Sequence, residues 1–369
     1  MIREVGYERA LKAINLEETE RIPHWEMISN PDFERAVTGI DPYEHPQKCR
    51  LKLIEILDLD IGAAPLSDDP IKEEVTKWEK GESVKYDAEG HLVVRWGAAT
   101  TWRWDWGRGF KSVEEVLDFD PLEIKYDPYC GDLTLSAKDL AEYYNERHRK
   151  MQELVGERCL VMGGFYKTLI MWPLMTFGWN LLMKTVLEEP KEFKKLLAKF
   201  AQISQKVFQA WAMTDIKVMS SHDDICNANG PTFSPEWYRK NIYPWYKKLW
   251  EPLKRKGIKI KFVSDGNIDL VADDVFEAGA DGIFLERYSS LEKMVEKYGD
   301  KKFFMGNIDT NILTYGGKKE IWAEVERCTR VAKDCPGYFY CASGHIPYNV
   351  PVENAMTYFE ACKKLSKRR

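Results

Sequence analysis

The sequence predicts an α/β fold, a single (β/α)8 barrel of the TIM type, and three observations support this. Eight short apolar runs recur along the 369 residues. Most of them precede a segment with the apolar spacing of a helix. No internal repeat or low-complexity tract breaks the alternation. An open doubly wound sheet would give the same pattern, and the count of eight strands favours the barrel. We therefore expect one domain over residues 1–369.

The predicted strands share an apolar run followed by polar side chains. They are 22–28, 61–66, 158–165, 216–221, 258–264, 282–286, 302–307 and 338–342. The last units are the clearest, since 257–263 alternates with a strand period and helical spacing follows at 270–278, 290–298, 319–333 and 351–365. Ser234 and Ser290 stand where helix N-caps belong.

An insertion at about 73–129, between strands two and three, interrupts the alternation. It carries Trp78, Trp96, Trp102, Trp104 and Trp106. The last three are spaced by two, which places them on one face of a strand. We expect an inserted hairpin lid. Its tryptophans either seal the insertion against the barrel or form an aromatic wall over a flat substrate, and they could do both.

Composition excludes several classes of function. A net charge of −5 and a pI near 5.9 argue against nucleic-acid binding. No apolar run approaches a membrane span and the start lacks a signal peptide, so we expect a cytoplasmic protein. The eight cysteines include no CxxC pair, which excludes a zinc ribbon or a readable disulfide framework.

Active sites of barrel enzymes lie at the carboxyl ends of the strands, so the polar residues there are the candidates. In strand order they are His24 and Glu26; Ser67, Asp68 and Asp69; Tyr166; Ser221, His222, Asp223 and Asp224; Asp265 and Asn267; Glu286, Arg287 and Tyr288; Asn307 and Asp309; and Ser343 and His345. Carboxylates outnumber cations, which favours a cation, a metal or a neutral substrate. A lone histidine in such a place is more often structural than catalytic.

Phosphate-binding glycine loops, HExxH and GxSxG are absent from the sequence, so nucleotide, thermolysin-type and hydrolase chemistry lack support. The turns 265–267 and 306–309 are the sharpest local signals. Glycine permits a positive φ there and aims the flanking polar side chains into the mouth, although ordinary rim turns would look the same.

Several segments in the carboxyl-terminal half together resemble the uroporphyrinogen decarboxylase superfamily. They are 263–267, 277–282, 298–300, 305–309 and 343–354, with 221–224, 234–238 and 243–244 before them. The resemblance implies a (β/α)8 barrel, in agreement with the strand count. It also implies one of two chemistries, because the superfamily contains decarboxylases and corrinoid-dependent methyltransferases.

The residues that match each branch differ. Decarboxylases hold their substrate with an arginine pair after strand one, where this chain has Ile28 and Asp32. Asp68 resembles their catalytic aspartate, Ser221 and His345 match substrate-contacting residues, and Trp172 falls near their active-site tyrosine. Losing two carboxylate clamps disfavours a substrate with eight carboxylates.

The methyltransferases that act on thiols bind zinc through His-x-Cys after strand five and a later cysteine. This chain has Val263 and Asp265 at the first two positions. Zinc also accepts oxygen and nitrogen ligands, so it remains a candidate cofactor on Asp265, Glu286 and His345, or on His222 and Asp223.

The remaining paralogues resemble the first methyltransferase of O-demethylase systems. We therefore expect a corrinoid-dependent methyltransferase that takes a methyl group from a small donor, an aryl methyl ether above others, and gives it to cobalt(I) on a separate corrinoid protein. Barrels of this kind often pair as homodimers. A decarboxylase of uroporphyrinogen or of another acid is the alternative, and a barrel that only binds a ligand or a corrinoid protein is the third.

Under the first reading the site residues have three roles. The catalytic candidates are Asp68, His222 and His345, and the metal candidates are Asp265, Glu286 and His345. The substrate-binding candidates are His24, Glu26, Trp102, Trp104, Trp172, Ser221, Asp223 and Asn267.

Overall fold

A computed structural model describes residues 4–71, 84–86, 92–95, 101–104 and 109–368. The fold is α/β. Strands, in chain order, are β1 (Ile28–Ser29), β2 (Val84–Tyr86), β3 (Leu92–Arg95), β4 (Thr101–Trp104), β5 (Tyr126–Asp127), β6 (Gly131–Asp132), β7 (Gly163–Phe165), β8 (Val218–His222), β9 (Cys226–Asn227), β10 (Gly230–Pro231), β11 (Lys259–Val263), β12 (Gly282–Leu285), β13 (Phe303–Gly306), β14 (Tyr338–Phe339) and β15 (Ile346–Pro347).

The helices of the described residues surround these strands in sequence. They are α1 (Gly6–Ile14), α2 (Pro31–Thr38), α3 (Pro46–Leu57), α4 (Val113–Asp118), α5 (Ala137–Val155), α6 (Met171–Glu188), α7 (Pro190–Trp211), α8 (Pro235–Asn241), α9 (Tyr243–Arg255), α10 (Ala272–Ala278), α11 (Leu291–Tyr298), α12 (Thr310–Tyr315), α13 (Lys318–Ala332) and α14 (Val352–Leu365).

The main sheet has six strands in the order β14-β13-β12-β11-β8-β7. The predicted α/β class is thereby confirmed, and six of the eight predicted strands correspond to strands of this sheet. Predicted strand 22–28 contributes Ile28 to β1 and isolated parallel bridges from His24 to Tyr340 and from Trp25 to Ile61. Predicted strand 61–66 contributes the bridges of Ile61 to Trp25 and to Leu160. Pro23 and Pro65 have no backbone N–H to donate, so these two runs can form fewer of the hydrogen bonds that join neighbouring strands. Closure into a barrel stays a prediction.

The predicted helix starts also agree with the structure. Ser234 accepts a hydrogen bond from the backbone N–H of Trp237, and Ser290 accepts one from that of Lys293. Each serine thus satisfies a donor that the first helical turn leaves open.

The Trp-rich segment contains a three-stranded antiparallel sheet, β2-β3-β4. Trp102 pairs with Val94 and Trp104 pairs with Leu92, so the predicted strand exists at both positions. Trp78, Trp96 and Trp106 lie outside the described residues. That this segment is a lid stays a prediction.

The chain divides into two compact units. The first comprises Met1–Trp104, Lys150–Val161 and Ile283–Arg369, and the second comprises Asp105–Arg149 and Met162–Gly282. No helix of the described residues combines the length and apolar character needed to cross a bilayer.

In the second unit, β7, β8 and β11 are parallel neighbours with opposite faces of different character. Phe165, Ser221 and Phe262 stand in register on one face. This face packs under helices α7 and α9, where Phe165 contacts Phe208 and Phe262 contacts Trp250. Because side chains alternate along a strand, His222 belongs to the opposite face.

A buried ionic cluster lies in the first unit. The Asp60 carboxylate contacts Arg9 at 2.5 Å and Arg21 at 2.8 Å, and it accepts the backbone N–H of His24 at 2.7 Å. Arg9 and Asp60 are almost fully buried. Such a pair tolerates the loss of neither partner, because the other charge would remain in a low-dielectric interior.

We expect Asp60→Asn to lower the free energy of unfolding by about 3–5 kcal/mol, since Arg9 and Arg21 would lose the buried carboxylate that they share and Arg9 would keep only Glu4. Urea denaturation measures the change. Asp58→Asn is the matched control, because the side chain of Asp58 is 39% exposed and also pairs with Arg21. An equal loss in both variants would contradict a special role for the buried carboxylate.

Candidate functional site

The carboxyl ends of β8 and β11 bring three polar side chains together in the second unit. Val263 pairs with His222 in this ladder, so the residues that follow the two strands leave the same edge of the sheet. The side-chain ligand atoms of His222, Asp224 and Asp265 all lie within 4.8 Å of one another. His222 and Asp265 were predicted site residues from two different strands, and the structure makes them neighbours.

His222 and Asp224 form a hydrogen-bonded pair. The imidazole Nε2 lies 2.8 Å from Oδ1 of Asp224, and the same oxygen accepts the backbone N–H of Asp265 at 2.9 Å. The side chains of His222 and Asp224 are 19% and 15% exposed, so they are partly shielded but reachable. The backbone N–H of Asp265, after β11, therefore fixes the Asp224 carboxylate, and this carboxylate in turn holds His222 at the end of β8.

The electrostatics of the pair favour a charged imidazole. Burial lowers the pKa of His222, but the charge and hydrogen bond of Asp224, helped by Asp265 and Asp223, outweigh burial and raise this pKa above its ordinary value. The pKa of Asp224 is lowered, because the attraction of His222 and the Asp265 N–H overcome the opposing effect of burial. A histidinium of this kind is a suitable general acid near neutral pH.

Asp223 points away from this pair and acts as a structural anchor. Its carboxylate accepts the backbone N–H groups of Ile170 and Met171 at 2.9 and 2.8 Å and the hydroxyl of Tyr246 at 2.6 Å. It is fully buried at the start of α6, where the helix leaves its first N–H groups open. This placement ties the end of β8 to the loop that follows β7.

Two further predicted substrate-binding residues are also internal. Ser221 is buried, lies 2.7 Å from the hydroxyl of Thr168 and accepts the indole N–H of Trp250. Trp172 is buried and donates its indole N–H to Ser204. Both support the site from the helix-packed side, and their contact with a substrate stays a prediction.

The Asp265-Gly266-Asn267 turn depends on its glycine, as the sequence predicts. Gly266 has φ +87°, and a Cβ there would lie 2.3 Å from the backbone carbonyl of Asn227. Asn267 donates its N–H to that carbonyl, and its side-chain oxygen accepts the N–H of Asp269. The turn thus fixes the backbone of Asp265, whose N–H reaches Asp224.

The predicted site residues of the first unit fall into separate groups. Asp68 contacts His45 and Lys48 at 3.0 Å and caps the start of α3 through the Lys48 N–H. The hydrogen bond from the Lys48 backbone N–H, together with the side chains of Lys48 and His45, lowers the pKa of Asp68 to about 2. Burial opposes this shift with a smaller effect. This carboxylate is therefore an anion at neutral pH, and its catalytic role stays a prediction.

His24 and Glu26 are both buried and bonded to each other at 3.1 Å. The hydroxyl of Tyr358 reaches both side chains, and Glu26 accepts the backbone N–H of Ala342 at 2.8 Å. The two residues connect the first strand segment to the last one. Their contact with substrate stays a prediction.

Glu286 directly follows β12, whereas His345 lies six residues after the end of β14 and directly before β15. A Cβ on Gly344 would lie 3.5 Å from a carboxylate oxygen of Glu286, so this carboxylate is adjacent to the segment that carries His345. Their predicted role as metal ligands with Asp265 stays a prediction. The side chains of Trp102 and Trp104 lie outside what the structure describes.

The donor atoms available for zinc differ from a thiolate set. Val263 offers no ligand atom, and the residue two positions on is Asp265 rather than cysteine. A thiolate zinc site after strand five therefore does not fit this chain. His222, Asp224 and Asp265 offer one nitrogen and carboxylate oxygens, a donor set that suits a divalent cation.

Three features of this site escaped the sequence. Asp224 stood among the strand-end residues, but only the fold shows that it, rather than Asp223, pairs with His222. Tyr166 also stood among the strand-end residues, but only the fold shows that its ring lies 4.3 Å from the His222 ring. Lys261 is buried and stands in register with Ser220 on the His222 face of the sheet. Its alternation with Ile260 and Phe262 was the available signal.

Comparisons with known proteins point to one family. The uroporphyrinogen decarboxylase (URO-D) family model matches residues 172–365. Uroporphyrinogen decarboxylase from Geobacter sulfurreducens is 28% identical over 222 residues, which cover 59% of this chain and 63% of the relative. The enzyme of that name from Carboxydothermus hydrogenoformans is 26% identical over 179 residues, 48% of this chain and 49% of the relative. The chain thus spans about half to two thirds of their length.

Among solved structures, a methyltransferase from Methanosarcina mazei matches across nearly the whole chain. The match covers 98% of both chains with a TM-score of 0.64 and 15% sequence identity. At this identity the likeness shows a shared fold.

We expect Asp224→Asn to lower the pKa of His222, because burial would then act with less opposition from a negative charge. The substitution keeps an oxygen that can accept the Asp265 N–H. A proton NMR titration of ¹³C-labelled histidine follows the imidazole. In the wild type, the stability contributed by this ion pair is full below the unfolded pKa near 6.5 and is lost as pH rises through the raised folded pKa. An unchanged titration in the variant would contradict the assigned partnership.

Proposed function

The chain belongs to the uroporphyrinogen decarboxylase family, and from this premise we propose that it is a methyltransferase. It moves a methyl group from a small methylated donor, an aryl methyl ether above others, to cobalt(I) carried by a corrinoid protein. The corrinoid protein is a second substrate in this scheme, and the donor binds beside His222.

The observation that carries the proposal is the segment 28–32, which forms β1 and the start of α2. Ile28, where a decarboxylase would have an arginine, is buried in β1 and pairs with Ile346. Asp32, at the second such position, lies in the first turn of α2 with its side chain 74% exposed and paired with Arg35. Neither position supplies a cation to hold a carboxylate. A substrate with many carboxylates would lose bonds worth about 1.5–3 kcal/mol each.

The charge of the strand ends supports a neutral donor. Asp224 and Asp265 flank His222 at this edge of the second unit, and the pair with Asp224 favours the protonated imidazole. One positive charge beside two carboxylates would repel a polyanion and accept an uncharged ether.

The chemistry of the proposed step balances around His222. The electron pair of cobalt(I) attacks the methyl carbon, a cobalt–carbon bond forms and the carbon–oxygen bond breaks. The departing oxygen takes the Nδ1 proton of His222 and leaves as a phenol, because the Nε2 proton is held by Asp224. Asp224 then faces a neutral imidazole, which regains a proton from solvent. A general acid of this kind contributes typically about 10²–10⁴-fold to a rate.

A divalent cation on His222, Asp224 and Asp265 is the competing use of the same atoms. It would supply a Lewis acid for the departing oxygen. The proposed step is not routed through it, because a protonated imidazole cannot ligate a metal. Metal analysis of the purified protein, with Asp265→Asn beside the wild type, separates the two uses.

The proposal is tested by mixing the protein with chemically reduced cobalt(I) corrinoid and a panel of methoxylated aromatics, methylamines and methyl thiols. We expect the visible spectrum to convert to that of methyl-cobalt(III) with the methoxylated aromatics. Carbon dioxide release from uroporphyrinogen is measured in parallel. Release of carbon dioxide without methyl transfer from any donor would overturn the proposal and identify a decarboxylase.

We expect His222→Gln to reduce the rate of methyl transfer by about 10²–10⁴-fold, because glutamine can donate a hydrogen bond but no proton. His148→Gln on α5 is the control, since this histidine lies within a helix rather than at a strand end. Stopped-flow absorbance measures both. Full activity in His222→Gln would remove His222 from the chemistry.

A further inference from the structure

Two tyrosines form an aromatic stack that ends on His222. The ring of Tyr166 lies 4.3 Å from the imidazole, inclined by 58°. The ring of Tyr129 stacks on Tyr166 at 4.9 Å, inclined by 19°. Tyr166 follows β7 directly, whereas Tyr129 belongs to the β5–β6 hairpin. The stack therefore joins an element outside the main sheet to the candidate acid.

The hairpin is fixed by a buried ion pair. Lys167 contacts the carboxylate of Asp127 at 2.5 Å, and both residues are more than nine-tenths buried. The second oxygen of Asp127 accepts the backbone N–H of Tyr129 at 2.9 Å. The Asp127 carboxylate thus joins Lys167, which follows Tyr166 in the chain, to Tyr129, which stacks on Tyr166.

The lysine also contacts aromatic rings on either side of it. Its ammonium lies 5.2 Å from the centre of the Tyr129 ring and 4.7 Å from that of Trp172. Cation–ring attraction at these distances is favourable and is stronger where water is excluded. The position of Tyr129 is thus set by the ion pair, by the ring contact and by its own backbone.

The hydrogen bond to Asp224 fixes the position of Nε2 but does not by itself fix the plane of the imidazole ring. A ring packed against the imidazole removes this freedom, because rotation would drive the two rings together. Geometry matters for proton delivery, and a displacement of about 1 Å can cost about 10²-fold in rate.

We propose that Asp127, Tyr129, Tyr166 and Lys167 are positioning residues that hold the His222 ring in the orientation from which it protonates the departing oxygen. The inference rests on the proposed function for that proton transfer. The orientation of His222 itself is a property of the resting protein. The support that we infer acts through packing of the Tyr166 ring against the imidazole.

Kinetics test the support through a split between kcat and KM. We expect Tyr166→Leu and Tyr129→Leu to lower kcat for methyl transfer by about tenfold or more, with KM for the donor changed by less than about threefold. Tyr166→Phe keeps the ring and should retain most of the activity. Tyr315→Leu, at a tyrosine that is 82% exposed in the first unit, is the matched control. Equal losses in Tyr166→Phe and Tyr166→Leu would overturn the packing role.

A spectroscopic measurement keeps the inference independent of activity. With ¹³C-labelled histidine, and His222→Gln to assign its signal, the ring current of Tyr166 should shift the His222 ring protons. We expect this shift to disappear in Tyr166→Leu and to change in Tyr129→Leu, while Tyr166→Phe preserves it.

The two measurements separate the possible failures. A wild type that transfers no methyl group, but whose His222 signal responds to both leucine variants, would remove the proposed function and leave the support in place. Methyl transfer with an unchanged His222 signal and unchanged kcat in both variants would remove the support. Lys167→Met tests the contribution of the ion pair with Asp127 to the position of Tyr129. If Lys167→Met fails to fold, Tyr129→Leu tests the same support of the His222 ring.

Discussion

The bond between His222 and Asp224 is the interaction on which the candidate site depends. It exists because β8 and β11 run in parallel register, so that the backbone N–H of Asp265 reaches the carboxylate that holds the imidazole. This arrangement favours the charged form of the His222 imidazole, because Asp224 and Asp265 lie beside it and raise its pKa against the opposing effect of burial. A carboxylate that is fixed by a backbone donor pays less entropy to hold its partner than a mobile one would.

Neighbouring carboxylates serve different purposes because a strand end alternates the directions of its side chains. Asp224 faces His222, whereas Asp223 is buried and accepts the first N–H groups of α6. The aspartate that holds the helix cannot change without moving the loop after β7. Two adjacent residues thus have different roles in the second unit, since Asp223 holds the scaffold and Asp224 holds the candidate acid. The same is true of the next pair, because Tyr166 contacts His222 whereas Lys167 anchors the β5–β6 hairpin.

The sequence predicted the features that follow from local rules. Strand period located six strands of the sheet, serine positions located two helix starts, and the Asp265-Gly266-Asn267 turn required its glycine. The sequence could not predict which strand-end residues are buried. Ser221 and His222 are adjacent polar residues, and which of them faces the packed helices depends on the face of the sheet that each one occupies. The hairpin that carries Tyr129 escaped for another reason. Its strands have two residues each and are held by Lys167, which is distant in sequence.

The most direct test of a histidinium acid in methyl transfer is the dependence of the rate on the leaving group. A series of ring-substituted methoxybenzenes varies the pKa of the departing phenol while the methyl carbon stays the same. If His222 protonates the oxygen, the wild-type rate should depend weakly on that pKa and the His222→Gln rate steeply. Equal slopes in the two proteins would show that the oxygen departs without help from His222 and would contradict the account.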